Sequence, residues 1–333
     1  MESGLFKALV IREEADGIFS RSIERRSFDS LPDHEVLIKV EYAGLNYKDA
    51  LSAHGHKGIT RQFPHTPGVD AAGSVVSDRS GTFAPGEKVI CTSFDLGMNT
   101  SGGFSEYIKV PASWVIRLPK GWTTYQAMVM GTAAYTAALA LYKMERCGQH
   151  PSMGEVVVTG ASGGVGSMAL AILKKAGYQA VAATGKAGQH EWLMKCGASR
   201  CISRDEVNDQ SGRPILKSKW AGAIDNVGGN TLITLLKACS KEGSVASIGL
   251  VDSPQLSMTV YPFILNGVNL LGIDSAETAF GMRQIIWDKL AADWLPLQWE
   301  EMGRIVSLEE IPAHMEAMIK GESKGRIVAA IGA

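Results

Sequence analysis

The chain has 333 residues, with 33 Lys plus Arg against 34 Asp plus Glu and a formal net charge of −1; its mean hydropathy is +0.03. That balance excludes the clustered basic surface needed by a nucleic-acid or anionic-membrane partner. At about 150 residues per domain, the length fits two cores. The 37 glycines exceed the usual share of about 7%, as a fold with many tight turns and close backbone approaches requires. Five cysteines, odd in number and without a CxxC pair, point to a reducing cytoplasm rather than a disulfide framework. The first residues lack a basic segment leading an apolar core, so no signal peptide is expected. The uncharged stretches 121–142 and 253–273 are broken by Thr and Gln, and by Pro and Asn. They read as buried elements rather than membrane spans.

In chain order, the first third carries short alternating segments at 35–41, 73–76, 88–91 and 105–110. Turn signals at 31–33, Pro67-Gly68, Pro85-Gly86 and Gly102-Gly103 separate them, the rhythm of a β-rich barrel. From about Thr124, apolar helices alternate with strongly apolar short strands at 155–159, 179–183, 222–225, 244–248 and 269–273. Such alternation predicts a parallel sheet covered on both faces. A helix over Ile311–Ile319 and a strand over Arg326–Ile331 close the sequence.

The most specific local signal is Val156-Val-Val-Thr-Gly160-Ala-Ser-Gly163-Gly164-Val165-Gly166, followed by the apolar helix 167–176. Strand, glycine turn and helix match the dinucleotide fingerprint, with Ala161 at its first glycine position. Gly163 would admit a pyrophosphate to the backbone, Gly166 would let helix and strand pack closely, and the helix N-terminus would face the phosphate charge. An NAD site would place an acid at the end of the next strand. The chain instead has Ala183-Thr184-Gly185-Lys186, with Arg204 after the third strand. A hydroxyl and two cations suit a 2′-phosphate, so NADP(H) is the expected cofactor.

These motifs resemble the medium-chain dehydrogenase/reductases over nearly the whole chain, joined by Asp225-Asn-Val-Gly-Gly and Pro67-Gly68-Val69-Asp70-Ala-Ala-Gly73. Leu45-Asn46-Tyr47-Lys48-Asp49-Ala-Leu, Gly131-Thr-Ala-Ala-Tyr-Thr-Ala-Ala and Val260-Tyr-Pro-Phe-Ile-Leu are similar to the zinc-free acrylyl-CoA reductase group, also called the YhdH/YhfP quinone oxidoreductases. The resemblance implies an α/β chain. A Rossmann doubly wound parallel sheet domain over 125–293 would bind NADP, and a GroES-like β-rich catalytic domain would comprise 1–124 together with 294–333. It implies cofactor contacts at Tyr47, Gly163, Gly164, Val165, Gly166, Thr184, Gly185, Lys186 and Arg204, and also at Leu250, Ile264, Ser275 and Arg326.

Zinc-dependent relatives place Cys at the position of Asn46, His at that of Val69 and a further Cys near Gly131. None of these ligates zinc well, and in the rival cluster of His54 and His56 with His65 the two loop histidines, one residue apart, read as solvated rather than metal-bound, so no metal is expected. Without a Lewis acid, reduction of an activated C=C bond or a quinone suits the inventory. The resemblance brings Asn46 and Tyr47 to the nicotinamide. Asn46 would donate to the developing enolate oxygen; Tyr47 would deliver the α-carbon proton or orient the acyl group, or else only pack on the ring. Lys48 and Asp49 read as a local structural pair. The expected function is NADPH-dependent, zinc-independent reduction of an unsaturated acyl-CoA, most simply acrylyl-CoA to propionyl-CoA. A quinone or enone reductase not using CoA and an NADPH-binding redox sensor are the alternatives. Val268–Ile273, last strand of its sheet by chain order and without Lys, Glu or Pro, predicts an edge that pairs in a homodimer.

Overall fold

The computed structural model describes residues 4–15 and 17–332. Along the chain come β1 (Leu5–Ala15), β2 (Ile18–Ser27), β3 (Val36–Gly44), α1 (Tyr47–Ala53), β4 (Asp70–Asp78), β5 (Lys88–Thr92), β6 (Tyr107–Val110), β7 (Val115–Arg117) and α2 (Thr124–Arg146). Next are β8 (Val156–Val158), α3 (Gly164–Lys175), β9 (Ala180–Ala183), α4 (His190–Cys196), β10 (Ala198–Ile202), β11 (Trp220–Asp225) and α5 (Gly229–Lys237). After these follow β12 (Cys239–Ser247), α6 (Tyr261–Asn266), β13 (Asn269–Gly272), α7 (Phe280–Ala292), α8 (Trp299–Met302), β14 (Gly303–Ser307), α9 (Ile311–Ile319) and β15 (Arg326–Ala330). Among the described residues no helix is long and apolar enough to cross a membrane.

One compact unit runs to Thr132 and includes Ala276–Gln284 and the chain from Trp299; the other comprises Ala133–Ser275 with Ile285–Gln298. The break therefore falls at Thr132, not 124, Ala276–Gln284 leave the expected Rossmann segment, and residues 294–298 join it. Side chains explain the first two shifts. Thr132 donates through its N–H and hydroxyl to Asp70, at 2.9 and 2.5 Å. Arg283 is fully buried, donates to the carbonyl and hydroxyl oxygens of Thr92, both at 3.1 Å, and lies 4.3 Å over the Phe94 ring.

In the first unit, a sheet ordered β14-β15-β3-β4-β5-β7, with β6 also paired to β3, stands beside the β1–β2 hairpin. In β3, Val36, Ile38 and Val40 are buried while Lys39 is exposed, the alternation of a strand with one face on the core. Leu9, Phe104 and Ile311 fill that core.

The second unit is an all-parallel sheet ordered β10-β9-β8-β11-β12-β13. In order of appearance this is 3-2-1-4-5-6, the doubly wound arrangement, whose switch point lies between its first and fourth strands. Buried from both faces, the strands need no polar alternation: Val156, Val157 and Val158 are all inside. As the sequence indicates, β13 is the outermost strand on its side.

Candidate active site

In the second unit, the carboxyl end of β8 turns through Gly160, at φ +57°, into α3, with Gly163 at the N-cap. A Cβ on Gly166 would lie 2.3 Å from the Gly160 carbonyl oxygen, so helix and loop meet at a distance only glycine allows. Gly163 is exposed, and Gly164 and Val165 are half-buried in the first turn of α3. The loop is braced from β11. The Thr159 hydroxyl donates to Asp225 at 2.6 Å, and the Asn226 side-chain amide donates to the Thr159 carbonyl at 2.8 Å. Asp225 also accepts from the Gly228 N–H at 2.8 Å; burial pushes its carboxyl above the usual range against these donors. Sequence reasoning did not single out Thr159, Asp225 and Asn226 as parts of the site. Their signals are the Thr before the glycine loop and the motif beginning at Asp225.

At the end of β9, Thr184 is buried and its hydroxyl oxygen accepts from the Lys186 N–H at 3.1 Å. Gly185 is exposed, yet a Cβ there would fall 2.6 Å from Nε of Arg204 and 2.9 Å from its Cζ. The missing side chain is what lets Arg204, arriving after β10, lie across this turn. Arg204 thus meets the turn at Gly185, with Thr184 and Lys186 on either side in the chain and no carboxylate at the end of β9. Leu250 and Ile264 are 64% and 67% exposed, on the loop after β12 and on α6. The Ser275 hydroxyl oxygen accepts from Thr136 at 2.7 Å.

In the first unit, Tyr47 opens α1 with 45% of its surface exposed. The residues beneath it are buried and charged. Asp49 accepts from the N–H groups of Asn46 at 2.7 Å, Gly68 at 3.0 Å and Val69 at 2.9 Å. Burial pushes its carboxyl up to about 7, the neighbouring Asp70 adding to the rise while the three N–H donors oppose it. Asp49 is therefore a buried helix cap rather than half of a pair with Lys48. Asp70 is also fully buried; besides Thr132 it accepts from the Asn46 side-chain amide at 2.8 Å and from Nη2 of Arg326 at 3.2 Å.

Two residues expected at the site are engaged within this unit. Arg326, expected at the cofactor, is 3% exposed, and its guanidinium donates to Asp70, to the Leu45 carbonyl and Asn46 Oδ1, both at 2.9 Å, and to the Val129 carbonyl at 3.1 Å. Burial lowers its pKa, with the charges of Asp70 and Asp49 opposing. Asn46, expected to donate to an enolate oxygen, has its amide nitrogen committed to Asp70 and, at 3.2 Å, to the Gly44 carbonyl. With two amide protons and two acceptors in place, it has no donor left for substrate.

The residues at the zinc positions do not fit the metal. Val69 is apolar and 2% exposed, the Asn46 amide is engaged, and a Cβ on Gly131 would lie 2.3 Å from Asp70 Oδ2 and 2.7 Å from Arg326 Nη2. The cation of this cluster is a guanidinium. Nor is the loop histidine His54 merely solvated. His54 reaches the Ala50 carbonyl at 2.7 Å through Nδ1 and Glu316 at 3.0 Å through Nε2, and buried His65 meets the Gly97 carbonyl at 2.9 Å.

Residues 32–120 match the alcohol dehydrogenase GroES-like domain, and residues 164–290 match the zinc-binding dehydrogenase domain. The chain is 43% identical over 327 residues to the putative quinone oxidoreductase YhfP of Bacillus subtilis, covering 98% of this chain and 99% of that one. The solved structure of B. subtilis yhfP with NAD bound matches with a TM-score of 0.95 at 42% identity, covering 98% and 100% of the two chains. Acrylyl-CoA reductase AcuI of Ruegeria pomeroyi is 40% identical over 331 residues, covering 99% and 100%. The solved structure of Escherichia coli K-12 YhdH with bound NADPH matches with a TM-score of 0.94 at 40% identity, covering 98% and 100%.

Proposed function

Because this chain belongs to the medium-chain dehydrogenase/reductases, in their zinc-free YhdH/YhfP group, we propose that it is an NADPH-dependent reductase of the C=C bond of an α,β-unsaturated acyl-CoA, converting acrylyl-CoA to propionyl-CoA. The acyl-CoA part of this reading rests on the 40% identity to acrylyl-CoA reductase AcuI, and the observation that carries its NADPH part is the turn after β9. There Arg204 lies against Gly185 beside Lys186, and Thr184 stands where an NAD site would hold an acid. Two cations and no carboxylate favour a 2′-phosphate over a free ribose hydroxyl.

The α3 N-terminus and Gly163 would take the pyrophosphate, and Thr184 to Lys186 with Arg204 the 2′-phosphate. The bound nicotinamide supplies a hydride. The chain's own part is to orient the acyl group and bring a proton to the α-carbon as the neighbouring carbonyl oxygen gathers charge. With the Asn46 donors spent, the Tyr47 hydroxyl is the side-chain group of that segment left for the task.

Lys186→Ala should weaken NADPH binding by roughly 1–3 kcal/mol, the range for a lost charged hydrogen bond, and leave NADH binding nearly unchanged. Fluorescence titration with both cofactors reads this directly; equal weakening would remove Lys186 from the 2′-phosphate. The substrate class is tested by steady-state turnover of acrylyl-CoA, crotonyl-CoA and a benzoquinone with NADPH. The highest kcat/KM is expected for acrylyl-CoA. The name of the B. subtilis relative favours a second reading, an NADPH quinone or enone oxidoreductase not using CoA. Turnover of the benzoquinone above both thioesters would select it.

The protein also functions as a homodimer in this reading, two copies pairing through β13. The strand is outermost in its sheet, half-buried along Asn269–Leu271, and carries no blunting charge or proline. Leu270 packs against the core of its own unit, so charging it would disturb folding as well as pairing; the mass of the intact protein is the cleaner readout. Light scattering at micromolar concentration should give about twice the 35.6 kDa of one chain. A particle of one chain's mass would reject the dimer.

A further inference from the structure

Asn46 and the buried ion pair behind it have a function that the site's chemistry does not absorb. A buried Asp–Arg pair is expensive to desolvate and is often no more stabilising than apolar residues of equal volume. Here Asp70 and Arg326 grip opposite ends of one small side chain. Asp70 accepts from the Asn46 amide nitrogen at 2.8 Å, and Arg326 donates to its Oδ1 at 2.9 Å. From the other side, Asp49 takes the Asn46 backbone N–H at 2.7 Å. Arg326 also donates to the carbonyl of Leu45 at 2.9 Å. The residue immediately before Tyr47 is therefore fixed at its backbone and at both ends of its amide, while the Tyr47 side chain next to it stands partly in solvent.

The backbone around the pair is cut to fit it. A Cβ on Gly44 would lie 2.7 Å from Arg326 Nη2, and one on Gly131 would strike both partners. Two glycines, two carboxylates, a guanidinium and an amide make a rigid seat under one exposed phenol.

We propose that Asn46 is a positioning residue, held by the Asp70–Arg326 pair, whose task is to fix the first turn of α1 and so the aim of the Tyr47 hydroxyl. The proposal rests on the reading of Tyr47 given above. It assigns Asn46 no contact with substrate: losing its side chain costs rate only through Tyr47.

The test is a double-mutant cycle on kcat with acrylyl-CoA and NADPH, using Asn46→Ala, Tyr47→Phe and the double variant. Asn46 is half-buried and uncharged, so its removal strands no buried ion; thermal midpoints and NADPH titrations confirm folding, and Asn46→Ser serves as the milder cut. The expected result is a kcat about tenfold lower for Asn46→Ala with KM values within about twofold, and a double variant no slower than Tyr47→Phe alone. If Asn46→Ala slows the parent and the Tyr47→Phe variant by the same factor, the proposal is overturned while the role of Tyr47 stays intact. An unchanged kcat in Asn46→Ala and Asn46→Ser would overturn it equally. An unchanged kcat in Tyr47→Phe would remove the Tyr47 reading first, and this inference with it.

Discussion

Replacing Gly131 by alanine is expected to remove roughly 4 kcal/mol or more of folding stability, a large part of what a domain possesses. Two separate effects add. Gly131 interrupts α2 at φ +48° and ψ −158°, a conformation that is costly for any residue with a Cβ, on the order of 1–3 kcal/mol. The new carbon would also sit 2.3 Å from Asp70 Oδ2 and 2.7 Å from Arg326 Nη2. To make room, the buried pair must separate, and a broken buried pair costs about 3–5 kcal/mol. Urea unfolding followed by circular dichroism should show the loss in the midpoint, or the variant should fail to accumulate as folded protein. A Gly131→Ala protein with the parent's midpoint would mean that the Asp70–Arg326 contact adds little to the fold.

Tyr47→Phe should lower kcat about 100-fold, near 2.7 kcal/mol in the barrier, the lower end for general acid catalysis. The substitution keeps the ring and removes only the hydroxyl, so cofactor packing and the α1 frame should persist. NADPH affinity should stay within about twofold, because the loss is confined to the transition state. Single-turnover reduction of acrylyl-CoA separates this from slow product release. A kcat equal to the parent's would reduce Tyr47 to a packing residue and leave protonation to water.

The glycine loop was legible because its signal is local. Strand, glycine turn and helix lie within about twenty residues, and each glycine answers a backbone need at its own position, as Gly166 does against the Gly160 carbonyl 2.3 Å from where its Cβ would be. The same holds for the turn after β9, where the absent acid and the two cations stand in plain sight at Thr184, Lys186 and Arg204. The β1–β2 hairpin and α1 were not legible. Much of β2 is half-exposed without a clean alternation, and α1 is a seven-residue helix whose start is set by Asp49 capping Asn46. Asn46 was expected as a donor and Arg326 as a cofactor contact because neither the residue type nor the family resemblance shows which buried groups already engage an amide or a guanidinium.

The sequence by itself determined the strand–helix alternation of the second unit, the glycine loop, the residue make-up of the turn after β9 and the outermost place of β13. Each depends on residues close in the chain or on hydrophobic runs that read the same wherever the strand lies. Tertiary structure alone decided what the buried polar groups do. Arg326 meets Asp70 across 256 residues and Asn46 across 280, and no periodicity or motif encodes a contact of that span. The pairing exists because two charges enclosed in the same interior are tolerable only when they face each other, and which two are enclosed together is settled by how the sheet folds.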